Sequence, residues 1–264
     1  MIIQLFQRQL LFALLLGCLP LAWGENCATV CINGTCTSSC GSGSQTIVAS
    51  SAGCGATCVN DSCTSSCASV VGSGKLQSKS YDLQGFSQVV GQNAFDISIT
   101  QGTVYQVKVT ADKNVFQHLN VHQNGRVLYL STEKNTILTN VTLQAAIIMP
   151  SLTKIKLSGI SECVFSGFSS NRLKVVMSGT SHLTGESGTV NNLSVKLSGS
   201  SDLNLKEITS YNAKVRLGGA SHAIISVNGA LTGRLSGAST LDCYGTPINN
   251  TITTSGASEI KGCK

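Results

Sequence analysis

Leu173-Lys174-Val175-Val176-Met177-Ser178-Gly179-Thr180-Ser181 returns twenty residues later as Leu193-Ser194-Val195-Lys196-Leu197-Ser198-Gly199-Ser200-Ser201, and again as Ala213-Lys214-Val215-Arg216-Leu217-Gly218-Gly219-Ala220-Ser221. Each stretch has apolar residues at its first, third and fifth positions, with polar residues between them except at Val176, and then breaks at a Ser-Gly-x-Ser or Gly-Gly-x-Ser corner. The corner also stands upstream, from Ser158, and downstream, from Ser236 and Ser255, with steps of 20, 20, 20, 18 and 19 residues. Period-two alternation is the mark of a strand with one buried face. A fixed longer period means that each repeat is one coil stacked on the next. The fold class expected is all-β, a solenoid with coils of about 20 residues.

Working outward, Leu173, Val175 and Met177 align with Leu193, Val195 and Leu197 and with Ala213, Val215 and Leu217, and Ile155, Leu157, Gly233 and Leu235 extend the series. These are the expected inward residues. The corner glycine is expected in a conformation that a side chain resists, and the small residue after it is expected to let neighbouring coils approach. Upstream, Phe95, Ile97 and Ile99, then Tyr105, Val107 and Val109, then Val127, Leu128 and Leu130 alternate in the same way. No window carries a capped helical period, and prolines occur only at Pro20, Pro150 and Pro247.

Between about Tyr81 and Gly262 the chain resembles the bacterial head GIN domain family, linked by name to auto-transporter adhesins. The resemblance rests on Gly85-Phe86-Ser87-Gln88-Val89, Ala94-Phe95-Asp96-Ile97, Thr100-Gln101-Gly102, Val109-Thr110-Ala111-Asp112-Lys113-Asn114, Met149-Pro150-Ser151-Leu152 and the Ser-Gly-Ala-Ser series. It implies a right-handed β-helix-like fold on surface or secreted proteins. It implies no defined activity, because "adhesin" is itself an analogy.

The first 24 residues read as a secretory signal: Arg8, an apolar run from Leu10 to Ala22, then Ala22-Trp23-Gly24. Leu15-Leu16-Gly17-Cys18 is a rival reading, a lipoprotein site in which Cys18 carries the lipid. Either way the chain is exported, to the periplasm, the outer-membrane surface or the medium, and no later stretch is long enough for a transmembrane helix. Loss of the signal removes one cation and no acid, taking the formal charge from +6 to +5. With 11% charged and 5% aromatic residues but 42% hydrophobic, the composition suits a turn-dense β-protein with a real core.

Residues 25–74 form a second expected domain before the solenoid of 75–264. CATVCINGTCTSSC from Cys27 and CGATCVNDSCTSSC from Cys54 share one cysteine spacing, 27 residues apart. Two-residue turns at Asn33-Gly34 and Asn60-Asp61 would pair Cys27 with Cys40, Cys31 with Cys36, Cys54 with Cys67 and Cys58 with Cys63. A helical hairpin gives the same nested disulfides. Zinc is a further alternative, but no histidine lies there and an oxidising compartment favours bridges. The duplicated module is either a stapled binding knob or a protease-resistant spacer. Ser/Gly-rich segments 41–53 and 70–75 read as linkers. In the solenoid, Cys243 and Cys263 lie one coil apart and are expected to bridge, leaving Cys163 as a small buried hydrophobe or the partner of another chain.

Stacking turns offsets into columns. Lys154, Lys156, Lys174, Lys196, Lys214, Arg216 and Arg234 fall two or four residues before the corners, on one outward face, with no acid at the equivalent positions. Such a stripe suits an extended anion, an acidic polysaccharide or lipopolysaccharide. The plain alternative is a solvated face that keeps the protein soluble. Nucleic acid is not expected, because the face lacks aromatic residues and the protein is exported. After the corners stand Glu162, His182, Asp202, His222, Thr240 and Glu259; His182, Asp202 and His222 are a candidate metal trio, against the commoner polar ladder. They are also the sole catalytic candidates, since no serine-nucleophile, phosphate-loop or zinc-protease motif occurs. The function expected is non-catalytic, adhesin-like binding without a cofactor. A polysaccharide-active enzyme on a β-helix and a structural envelope protein are the alternatives. Exposed strand edges at the solenoid ends allow a homo-oligomer.

Overall fold

The computed structural model describes residues 69–134 and 136–263 in full, and of the earlier chain only the backbone of a few strands. Packing divides the chain into two units, 1–68 and 69–264.

In the first unit, Cys27–Ile32 pairs antiparallel with Thr35–Cys40, Cys27 opposite Cys40 and Cys31 opposite Cys36. Cys54–Val59 pairs likewise with Ser62–Ser65, Cys58 opposite Cys63. These segments are strands, so the helical hairpin is not adopted. Cys67 and all the sulfurs of this unit lie outside the described residues, and the bridges there with them.

The second unit is all-β apart from one 3-10 turn at Phe116–His118. From Lys154 onward it is a parallel solenoid. Lys154–Leu157 pairs with the end of Glu162–Met177, which pairs with His182–Leu197, then Asp202–Leu217, then Ala230–Leu235 and Asn249–Thr254. Each long strand bends, so that one coil contributes to more than one face. The inward columns are continuous: Leu173, Val175 and Met177, their successors Leu193, Val195 and Leu197, and then Ala213, Val215 and Leu217 are each no more than 3% exposed.

Before Lys154 the coils are not uniform. Gln106–Asp112 pairs antiparallel with both Leu76–Tyr81 and Leu143–Met149, and Leu119–Asn124 forms a hairpin with Val127–Thr132. A strand returning through a turn as tight as Gly125-Arg126 must run antiparallel, whereas a full coil brings the chain back parallel. The hairpin and Leu76–Tyr81 thereby occupy the leading edges of the two long ladders.

The corners differ from expectation in one respect. Gly159, Gly179, Gly199, Gly219, Gly237 and Gly256 all have φ between +71° and +82°. A Cβ on Gly179, Gly199, Gly219 or Gly237 would lie 2.5–2.6 Å from the carbonyl oxygen of the preceding corner glycine. The residue after each glycine, by contrast, points outward; Ile160 is 73% exposed. Close approach is therefore made glycine on glycine, and the following residue is free in size. The last serine of the first five corners turns inward and is buried, its Oγ donating to the carbonyl three residues back, as from Ser201 to Ser198 at 2.9 Å. Asn93 begins this column. It has φ +70°, its carbonyl accepts from Ile160 N at 2.6 Å, and a Cβ on Gly159 would meet that same oxygen.

Two devices hold the ends. Cys243 and Cys263 form a disulfide with Cα atoms 5.3 Å apart, tying the last coil to the one before. Cys163 is buried and free, and burial pushes its thiol far above the usual range, helped by the negative charge of Asp96. It is a core residue. At the other end, the segment 70–75 that reads as a linker is fastened to the solenoid: Gly72 N donates to Thr139 O, and Gly74 N to the buried Asp112 carboxylate at 2.7 Å.

Candidate functional site

The strand register converts the charge pattern into geometry. One outward column runs Gln88, Lys154, Lys174, Ser194, Lys214, Thr232, Thr251. Its neighbour, two residues along each strand, runs Val90, Lys156, Val176, Lys196, Arg216, Arg234, Thr253. Lys196, Arg216 and Arg234 occupy three successive paired strands, about 4.8 Å apart. Lys174, Lys196, Lys214, Arg216 and Arg234 are exposed, and Lys154 and Lys156 half-buried. Among the described residues none of the seven is within ion-pair distance of a carboxylate. Like charges at this spacing repel, and the face holds them without local compensation.

The expectation that this face lacks aromatic side chains is corrected. Val127–Thr132 pairs parallel with Gln88–Gly91, placing Tyr129 beside Val90 at the head of the lysine–arginine column, with His122 beside Tyr129 in turn. Their rings stack, 4.9 Å between centroids and 6° from parallel. The missed signal was the hairpin alternation around Asn124-Gly125, which puts both rings outward; only the pairing shows that they join the cationic face.

Around the glycine corner lies a face of different character. Asp96, Glu162, His182, Asp202, His222, Thr240 and Glu259 are in register, one per strand. The candidate metal trio is not arranged as a chelate. His222 Nδ1 lies 3.0 Å from Asp202 Oδ2, and its Nε2 lies 3.0 Å from Asp242 Oδ2 on the following coil. The bonds thus run from Asp202 through His222 to Asp242, away from His182. Among the described residues no group of three His, Cys, Asp or Glu is placed to hold a metal ion. A ring with a carboxylate on each nitrogen uses both N–H groups as donors, which favours the imidazolium.

Partial burial lowers the His222 pKa, but the hydrogen bonds to Asp242 and Asp202 and their charges outweigh it, and the net shift is upward. A folded pKa above the unfolded value of about 6.5 gives stability that is full below that pH and is lost as pH rises through the folded pKa. Denaturation midpoints should therefore fall as pH rises above the ordinary imidazole range and through the raised His222 pKa, and His222→Gln should flatten that fall. An undiminished fall in the variant would assign the pH dependence to other groups.

These observations define a class: a β-solenoid with charges segregated on neighbouring faces. The sequence matches the family described as "Putative auto-transporter adhesin, head GIN domain" over residues 85–247, and the chain belongs to that family. Among solved structures it resembles a "putative adhesin" from Bacteroides fragilis, at 16% identity and TM-score 0.58, covering 73% of this chain and 99% of that one. It also resembles a "putative lipid binding protein" from Parabacteroides distasonis, at 14% identity and TM-score 0.51, covering 74% of this chain and 100% of the other. A "putative adhesin" from Parabacteroides merdae matches at 16% identity and TM-score 0.50, covering 75% and 100%. Identities this low carry the fold alone. No protein of curated function matches the chain. Among the described residues no helix is long and apolar enough to cross a membrane.

Proposed function

We propose that this is an exported, adhesin-like binding protein that uses its cationic sheet face to hold an acidic polysaccharide or lipopolysaccharide, without catalysis. The observation that carries the reading is the register of Lys196, Arg216 and Arg234 beside Lys174 and Lys214, all exposed and, among the described residues, without a carboxylate partner. A regular row of unpaired cations spaced by coils matches a polymer whose anions also repeat. The family name and the adhesin-like fold support it. The lipid-binding name of one structural neighbour fits the same chemistry, since lipopolysaccharide presents phosphates along a sugar core. The Cys-rich unit, for which the spacing predicts four nested bridges, is read as a stapled binding knob or a protease-resistant spacer of the same protein.

The test is retention of the secreted protein on immobilised acidic and neutral polysaccharides at low and moderate salt. Acid-selective retention that weakens with salt is expected. The double variant Lys196→Glu/Arg216→Glu should lose at least about tenfold in affinity at low salt. Equal retention of the variant and the wild type would sink the cationic face. New reducing ends in the bound polysaccharide would instead reveal an enzyme.

A further inference from the structure

The cationic face ends at a second corner, where the chain turns from Ser169-Ser170 into Arg172 and its equivalents one and two coils on. Two shallow depressions lie there. One, of about 200 Å³, has a mostly apolar surface that includes Leu193, Ala213 and Ala230, with Arg172, Ser194 and Lys214 among its polar lining. It exists where Ser194 interrupts the lysine column between Lys174 and Lys214, so a small side chain leaves room among long ones. The other, of about 160 Å³, is lined by Thr189, Asn191, Thr209, Tyr211 and Asn228 among others. The depressions are lined by adjacent residues, Asn191 with Asn192 and Tyr211 with Asn212, so they lie side by side along the same coils.

The polar groups here are fixed. Asn191 Nδ2 donates to Asn171 Oδ1, and Asn212 Nδ2 to Asn192 Oδ1, each at 3.2 Å, while Asn212 Oδ1 accepts from Ala230 N at 3.0 Å. Thr189 Oγ1 bonds Ser169 Oγ at 3.2 Å. Tyr211 then breaks the ladder. It occupies the position of Asn171 and Asn191 one coil further on, and it is 57% exposed. An aromatic ring left this far in water adds little to folding, and a further asparagine would continue the ladder instead. Its unburied surface is a platform.

We infer that this corner is a saccharide subsite, in which an uncharged sugar packs on Tyr211 among the threonine and asparagine side chains while the neighbouring anionic sugar lies against Arg172 and Lys214. The inference rests on the cationic face being a polysaccharide site and gives that site its selectivity. The chemistry is that of sugar recognition: an apolar ring face on an aromatic plane, hydroxyls on amides and hydroxyls, and a carboxylate on a guanidinium. Because the two depressions adjoin along the strands, a neutral sugar held at Tyr211 places an acidic neighbour beside Arg172 and Lys214.

The experiment compares hyaluronan oligosaccharides, in which charged and N-acetylated uncharged sugars alternate, with polygalacturonate, in which every sugar is charged. Full-length secreted protein, Tyr211→Ala, Tyr211→Phe and Lys196→Glu/Arg216→Glu are titrated at about 0.05 M and 0.3 M salt. Tyr211→Ala is expected to weaken hyaluronan binding about tenfold at both salts, a change of about 1.4 kcal/mol, to leave polygalacturonate binding within about twofold, and to leave the denaturation midpoint unchanged. Tyr211→Phe is expected to bind like the wild type. Unchanged hyaluronan binding in Tyr211→Ala, or equal losses for both polymers, overturns the subsite while the cationic face stands. Wild type that binds neither polymer overturns the cationic face, and the subsite with it.

Discussion

Gly199→Ala is expected to destabilise the solenoid by about 3–5 kcal/mol, although it adds one methyl group. Two costs combine. At φ +76° an L-residue is in the left-handed region, a penalty of about 1–2 kcal/mol. The new Cβ would also stand 2.6 Å from Gly179 O and 3.0 Å from Gly179 N, which are backbone atoms held by the coil below. Relief requires the coils to part, and that stretches the Ser200 N to Gly179 O bond of 2.9 Å and the serine interlock beside it. Gly125→Ala is the control. Gly125 has φ +55°, but nothing lies within 4 Å of its would-be Cβ, so only the conformational penalty of about 1 kcal/mol applies. Chemical denaturation of both variants separates the terms. A Gly199→Ala loss no larger than that of Gly125→Ala would refute glycine-on-glycine stacking.

Asp112→Ala is expected to cost about 2–3 kcal/mol and to release the segment that leads into the solenoid. The side chain belongs to a residue only 2% exposed; its Oδ1 accepts from Gly74 N at 2.7 Å and its Oδ2 from Thr142 N at 2.8 Å. One carboxylate thus ties the incoming chain to the loop before Leu143–Met149. Asn114 reinforces it, with Nδ2 donating to Val71 O and Oδ1 accepting from Ser73 N. Removing Asp112 strands the half-buried Thr142 N–H, worth about 1–3 kcal/mol without a partner, whereas the exposed Gly74 N–H can turn to water. Asp112→Asn keeps one acceptor and should lose about half as much. Amide exchange gives the local readout: Gly74 and Thr142 should lose protection before the coils do. Protection retained at both amides would show that the incoming segment is held by other contacts.

Asp112 also shows how a motif can be visible and its purpose not. The run Val109 to Asn114 stood out in the sequence as part of the family resemblance, yet its partners are Gly74 and Thr142, distant in sequence by 38 and 30 residues. Asn93 is a similar case. It stands where the later corners have glycine, but Gly91-Gln92-Asn93-Ala94 is too unlike Ser-Gly-x-Ser to be read as their first member. Gly185 is legible only against its neighbours: a Cβ there would lie 2.6–2.9 Å from side-chain atoms of Ile208, Phe165 and Leu205, so it offsets the bulk of Phe165 one coil before.

What the sequence by itself determined is the periodic part: the all-β class, the coil length, the inward residues and the cation columns. These follow from identical offsets, because a chain that repeats its alternation every twenty residues places each residue above its predecessor. What only the tertiary structure decided is whatever joins unequal offsets. The shorter step after Gly219 sets Thr240 in register with His222, and the ring reaches diagonally to Asp242 instead. The hairpin register brings Tyr129 and His122 onto the cationic face. The corner depressions arise because Ser194 and Tyr211 differ from their column mates. Periodicity fixes backbone positions one strand at a time, whereas the contacts that carry chemistry depend on which side chains of unlike size and reach meet across the strands.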